Sequence, residues 1–233
     1  MERRDRIPAS VIFPVALGTV LNPLNSSMIS VALVAIALDF QVTSTTVTWL
    51  ISAFYLMASI GQPLMGRFAD RFGPRRVFML GMAIVVVSGV VGPFSPDVAW
   101  LVVARVIQAL GTSAGFPSAV AVIRSMAVTR GTDVQAGLSV ISMMTSLSAA
   151  VGPFIGGLVI LFGGWEALFW LNIPLAAIAL VAAWLWVPHD ADAERATVRA
   201  VVSGSDAVGI LAFSAFIVAL LIFLMSVTAE PLW

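Results

Sequence analysis

The 233-residue chain has no cysteine, no lysine and one histidine, and only 10% of its residues are charged. Without cysteine there are no disulfides, thiolate metal centres or thiol nucleophiles. The one histidine, His189, sits in a polar stretch, so no histidine cluster can hold a metal, and no cofactor or catalytic residue is expected. Twelve basic residues balance twelve acidic ones. With zero net charge and no basic tail, nucleic acid is excluded as a partner. An ordinary soluble domain is roughly a quarter charged, so a water-soluble fold of this composition would leave wide apolar surfaces exposed.

What is present is hydrophobic, 60% of all residues. Cut at its charges, the chain falls into the uncharged runs Ile7–Leu38, Phe40–Gly66, Val77–Pro96, Val134–Trp165, Ala167–His189 and Ala207–Ala229, with Val98–Ile123 broken only by Arg105. A bilayer core about 30 Å thick takes about 20 helical residues, and every run is long enough. The expected fold is an all-α membrane protein with spans near Val11–Val34, Val47–Gly66, Val77–Phe94, Ala99–Ser118, Gly137–Phe162, Ala167–Val187 and Val208–Val227. The first run is too long for the apolar core of a signal peptide and lacks a cleavage signal, so it is expected to stay as the first span.

Every basic residue is Arg. With the N-terminus in the cytoplasm, eleven of the twelve arginines fall on the inner side, none falls in an outer loop, and Arg105 lies within a span. The positive-inside rule therefore predicts a multi-pass protein of the plasma (inner) membrane with a cytoplasmic N-terminus. The expected organisation is a six-helix bundle over 1–187, a cytoplasmic linker over 188–206, and a seventh transmembrane helix with an outer tail over 207–233. At an offset of 91 residues, Gly61, Gly66, Gly73, Phe78 and Leu80 align with Gly152, Gly157, Gly164, Phe169 and Leu171. That pattern suggests two inverted three-helix repeats, an architecture of secondary transporters.

Several residues exceed what a plain lipid-facing helix needs. The segment Gly66–Arg76, expected as a loop between spans two and three, places Asp70 among Arg67, Arg71, Arg75 and Arg76, with Gly66 and Gly73 seven apart. Topology anchoring accounts for the arginines alone. The acid and the glycines suggest a conformational latch that can pair Asp70 with an arginine or a helix N-terminus. Arg105 is the one formal charge within a span, which makes it a functional candidate by default, although snorkelling to the outer surface is the plainer account. Gln108 and Thr112 extend its face. Asn22, Asn25 and Ser26 flank Pro23 in span one, and Ser52, Tyr55, Ser59 and Gln62 share a face of span two. Ser148, Gly152 and Gly156 recur every four residues in span five beside Pro153 and Gly157, a spacing that lets helix backbones meet closely.

Taken together, these motifs resemble the N-terminal half of a major facilitator superfamily transporter of the drug:proton antiporter type, in its fourteen-helix branch. Gly66–Arg76 is similar to the signature G-x-L-A-D-R-x-G-R-R/K, departing at Phe68 and Pro74. Leu101–Gly115 resembles L-x-x-x-R-x-x-Q-G-x-G through Arg105, Gln108 and Gly111, with Ala109 in place of a glycine. Ser148–Gly157 resembles G-x-x-x-G-P-x-x-G-G, with Ser148 in place of its first glycine. Asn172-Ile173-Pro174, Asp206 and Gly209 fit the same branch. Where that branch carries an acid in span one, Leu24–Val34 has Asn25 and Ser30, and no span holds Asp or Glu.

The resemblance implies export of small hydrophobic molecules or drugs by alternating access, coupled to protons. Arg105, Gln108, Asn22, Asn25 and Tyr55 would serve coupling or substrate. Asp70 with Arg71, Arg75 and Arg76 would form the latch, and Gly111 and Gly152–Gly157 a helix or bundle interface. Relatives build their pathway between two bundles, so a missing C-terminal half or a second chain is the expected partner, alongside the lipid bilayer. A non-transporting membrane sensor or assembly partner is the alternative. An enzyme is not expected.

Overall fold

The computed structural model describes residues 7–190 and the isolated positions 212, 215, 216 and 219. The expected linker from residue 191 onward and the expected seventh helix thus lie outside the described residues, apart from those four positions. Within them the chain is helical: α1 (Ala9–Asp39), α2 (Ser44–Phe72), α3 (Pro74–Val91), α4 (Val98–Ser113), α5 (Gly115–Arg130), α6 (Val134–Gly163) and α7 (Glu166–Trp186). α4 and α5 run on as one span, Val98–Thr129, and the six resulting spans are all long and apolar enough to cross a membrane. This is a multi-pass membrane protein.

Short polar residues start α2, α4 and α6. The carboxylate of Asp97 accepts the Trp100 N–H at 2.9 Å, that of Asp133 accepts the Gln135 N–H at 2.9 Å, and the Thr43 hydroxyl accepts the Thr46 N–H at 3.3 Å. Each satisfies a donor that the first helical turn leaves free.

Two expected boundaries are corrected. The segment Gly66–Arg76 is not a loop, because α2 continues to Phe72 and only Gly73 separates it from α3. No glycine or proline interrupts residues 67–72, and Arg71 favours the C-terminal end of the helix dipole. The turn comes where Gly73 takes φ +96°, and Pro74 opens α3 with the φ that a first helical residue needs. The fourth span also passes Ser118 and reaches Arg130. Pro117 lies in the first turn of α5, where proline is tolerated, and nothing stops the helix before Gly131 at φ +64°.

α1 packs against α6, α7 and α2, while α3 lies between α7 and α4. One apolar cluster gathers Val15, Phe78, Met82, Ile123 and Ala179; a second gathers Met28, Ile29, Leu50, Leu101 and Phe169 near the α1–α2 turn. The polar candidates lie between and beside these clusters.

Candidate functional site

Glycine sets how closely the fourth span approaches its neighbours. A Cβ on Gly81 or on Gly111 would stand 2.7 Å from the other's carbonyl oxygen, and one on Gly115 would stand 2.7 Å from that of Gly18. The backbone of α4 therefore meets that of α3 closely, and the start of α5 meets α1, with Gly111 belonging to the α3–α4 contact.

This packing encloses Arg105, which is 1% exposed and turned into the bundle. Snorkelling to the surface is thus not its arrangement. Nη1 donates to the Gln108 side-chain oxygen, and Nη2 donates to the Asn25 carbonyl at 3.5 Å. The guanidinium carbon sits 4.2 Å from the centre of the Phe54 ring, within cation–π range. None of these three partners carries a negative charge. Among the described residues Arg105 Nε and Gln108 Nε2 have no hydrogen-bond partner, and the crevice among Arg105, Gln108, Asn25 and Phe169 has no room for water. A buried cation held only by dipoles and a ring face is costly.

Around it lies a polar layer. Asn25 and Asn172 exchange two amide hydrogen bonds, 2.6 Å from Asn25 Nδ2 to Asn172 Oδ1 and 2.8 Å in the other direction. Asn22 donates to the Thr112 hydroxyl at 3.1 Å. Tyr55 is half exposed and stands edge-on to Phe54, with ring centroids 6.1 Å apart. The structure therefore gathers Arg105, Gln108 and Asn25, places Asn22 one helical turn away, and leaves Tyr55 at the margin. Sequence reasoning missed Phe54 as the cationic platform and Asn172 as a site residue. A buried asparagine two residues before a mid-span proline was the available signal for Asn172.

The Gly66–Arg76 segment divides into two functions. Asp70 is exposed and borders two cavities. One, of about 500 Å³, is also lined by Gly73, Ser125, Thr129 and His189; the other, of about 570 Å³, by Ser59, Gln62, Gly66 and Arg124. Arg71 is exposed. Arg75 is buried and donates to the Trp184 carbonyl near the end of α7. The backbone N–H groups of Arg75 and Arg76 both donate to the Asp190 carboxylate at 3.2 Å. The acid capping this turn is thus Asp190, not Asp70, and a side chain on Gly73 would collide with it. Sequence offered no sign of Asp190, since backbone donors leave no mark in composition.

The Ser148–Gly152–Gly156 stripe faces α1. The Ser148 hydroxyl donates to the Val20 carbonyl at 3.0 Å, a Cβ on Gly152 would strike Ser27, and one on Gly156 would stand 3.0 Å from Met28 Cα. The close approach of Ser148, Gly152 and Gly156 is therefore a helix interface within the bundle. The four-residue spacing puts these three residues on one helical face, whereas Pro153 is exposed and a Cβ on Gly157 would meet nothing within 4 Å.

The profile of the Major Facilitator Superfamily matches residues 15–233. The chain is 40% identical over 93% of its length to the uncharacterized MFS-type transporter YwoD of Bacillus subtilis, covering 47% of that protein. It is 34% identical over 84% of its length to the tetracenomycin C resistance and export protein of Streptomyces glaucescens, covering 36% of it. It thus spans about half the length, or less, of the curated relatives it matches. Among solved structures, the peptide transporter POT in complex with sulfate superimposes with a TM-score of 0.67 over 95% of this chain and 47% of that one, at 18% identity, which is a likeness of fold.

Proposed function

The chain belongs to the Major Facilitator Superfamily, and we propose that it forms one side of a pathway exporting small hydrophobic organic molecules, drugs among them, by proton-coupled alternating access. The observation that carries this reading is Arg105, a cation wholly inside a membrane bundle with no anion beside it among the described residues. Such a group is expensive to keep unless it acts. The export class rests on similarity to a tetracenomycin C resistance and export protein. In this reading a second six-helix unit, in the same polypeptide or another, faces the exposed side of α2, α6 and the half-buried Asn22.

The arginine distribution supports a cytoplasmic N-terminus and a cytoplasmic α2–α3 turn. Asp70, exposed beside two cavities, is the group free to meet the opposing unit as the two rock, with Arg71 and Arg76 near it. Arg75 and Gly73 hold the turn in shape. Protons enter through a carboxylate outside the spans described above, since those contain no buried Asp or Glu.

An accumulation assay tests the reading. Cells expressing the transporter that carries this chain are loaded with a panel of fluorescent lipophilic cations, with and without a pH gradient. Arg105→Ala and Asp70→Asn should each abolish gradient-dependent efflux at normal membrane insertion. Efflux that persists in Arg105→Ala removes the reading.

A further inference from the structure

Asn172 belongs to the polar layer but does not touch the Arg105 guanidinium by any hydrogen bond described above; it is 1% exposed and its side chain is fully used. Besides its two bonds with Asn25, its Nδ2 donates to the Leu168 carbonyl at 2.8 Å, while Asn25 Nδ2 donates to the Leu21 carbonyl at 2.8 Å. Each amide is thus tied to its own helix and to the partner's. Each asparagine also lies two residues from a proline inside its helix, Pro23 in α1 and Pro174 in α7. A proline lacks the N–H that would close the ladder, so neither helix alone fixes its backbone at this level.

The hydrogen bond described between the Arg105 guanidinium and α1 is the one to the Asn25 carbonyl, and at 3.5 Å it is at the outer limit of hydrogen-bonding distance. A displacement of a few tenths of an ångström in this turn of α1 would break it. The amide pair is the side-chain tie between this turn and α7. We infer that Asn172 is a positioning residue for Arg105: through its reciprocal amide bonds it pins the proline-weakened turn of α1 and sets the Asn25 carbonyl that the guanidinium meets. The inference rests on Arg105 being the functional group of the pathway, but its test does not.

The full chain is labelled with 15N-arginine in lipid nanodiscs, and the side-chain N–H signals of Arg105 are assigned by their disappearance in Arg105→Lys. In the unaltered chain these protons should exchange with solvent at least about 10-fold more slowly than those of the exposed Arg67 and Arg124. Asn172→Leu should erase most of that protection, but it leaves the Asn25 amide half unpaired and can impair folding. The double variant Asn25→Leu with Asn172→Leu removes both amides, keeps an apolar helix contact, and retains the residue 25 carbonyl. Exchange of the Arg105 protons that speeds up about 10-fold in the folded double variant supports positioning; exchange that stays as slow as in the unaltered chain overturns it. Efflux by the transporter carrying the double variant reads the other premise. Protection lost with efflux intact leaves the positioning in place and removes Arg105 from the transport function.

Discussion

The fourth and fifth spans differ little in length, and the fifth is the more hydrophobic, yet the fourth is the most buried of the six spans and the fifth the least. Val98–Thr129 hides Arg105, Gln108, Thr112 and Ser118. Val134–Gly163 hides only a narrow stripe of mostly small residues, while Met143, Phe154, Leu161 and Phe162 stand 69% to 86% exposed. The soluble-protein rule is inverted here for a physical reason. Lipid tails are as apolar as leucine, so no hydrophobic gain draws a large apolar side chain inward. Close backbone approach and hydrogen bonding decide which face is covered, and large residues are left for lipid or for a second unit.

The strongest way to break that contrast is to enlarge the covered stripe and, separately, to trim the exposed face of the same helix. In Gly156→Leu the Cβ meets Met28 Cα at 3.0 Å and its carbonyl oxygen at 3.1 Å, backbone atoms that cannot rotate aside. Overpacking of this kind costs about 1–3 kcal/mol or more. Phe154→Leu, on the exposed face, should stay within about 0.5 kcal/mol. Thermal unfolding of both variants in mild detergent makes the comparison, and equal losses would show that α6 does not depend on its stripe.

The existence of the spans was legible in the sequence because charge interrupts the apolar runs at intervals matching a bilayer. Their rotations were not. A helix surrounded by protein on one side and lipid on the other shows no clear change of polarity between them, so Asn22, Asn25 and Ser26 read as one polar group. In the fold they separate: Asn25 turns to Asn172, Asn22 to Thr112, and Ser26 back to the Pro23 carbonyl. Although the burial of Arg105 was left open against snorkelling, its alignment with Gln108 followed from their spacing three residues apart on a helix. Phe54 over the guanidinium did not, since aromatic residues are common in any span and the contact joins helices distant in sequence. Asp190 stayed hidden for the same reason, more than a hundred residues from the turn it caps.

A smaller effect sharpens the comparison at the α2–α3 turn, where charge rather than small size holds the chain. Asp190→Ala removes a carboxylate that accepts two N–H groups at the start of α3, a loss of about 1 kcal/mol by analogy with helix caps. Gly73→Ala imposes a side chain at φ +96° and drives it into that carboxylate, at a cost of about 1–3 kcal/mol. Because the collision is with Asp190 itself, the two changes should not add. The double variant should recover at least about 0.5 kcal/mol of the summed losses in equilibrium unfolding. Simple additivity would mean that backbone conformation alone accounts for Gly73.

The smallest effect belongs to Gly157, one residue from the covered stripe. It lies within α6, has ordinary helical backbone, and a Cβ there would meet nothing within 4 Å. Gly157→Ala should therefore be neutral or stabilising by up to about 1 kcal/mol, since alanine loses less backbone freedom in a helix than glycine. Gly152→Ala, five residues earlier, faces Ser27, whose Cβ stands 2.9 Å from the new methyl as well as its hydroxyl being in the way, and should be destabilising. The signs of the two changes, measured side by side on the six-helix unit, distinguish packing within the bundle from packing beyond it. If Gly157→Ala leaves unfolding unchanged but lowers efflux in the whole transporter, the bare face at Gly157 is where a second unit comes close.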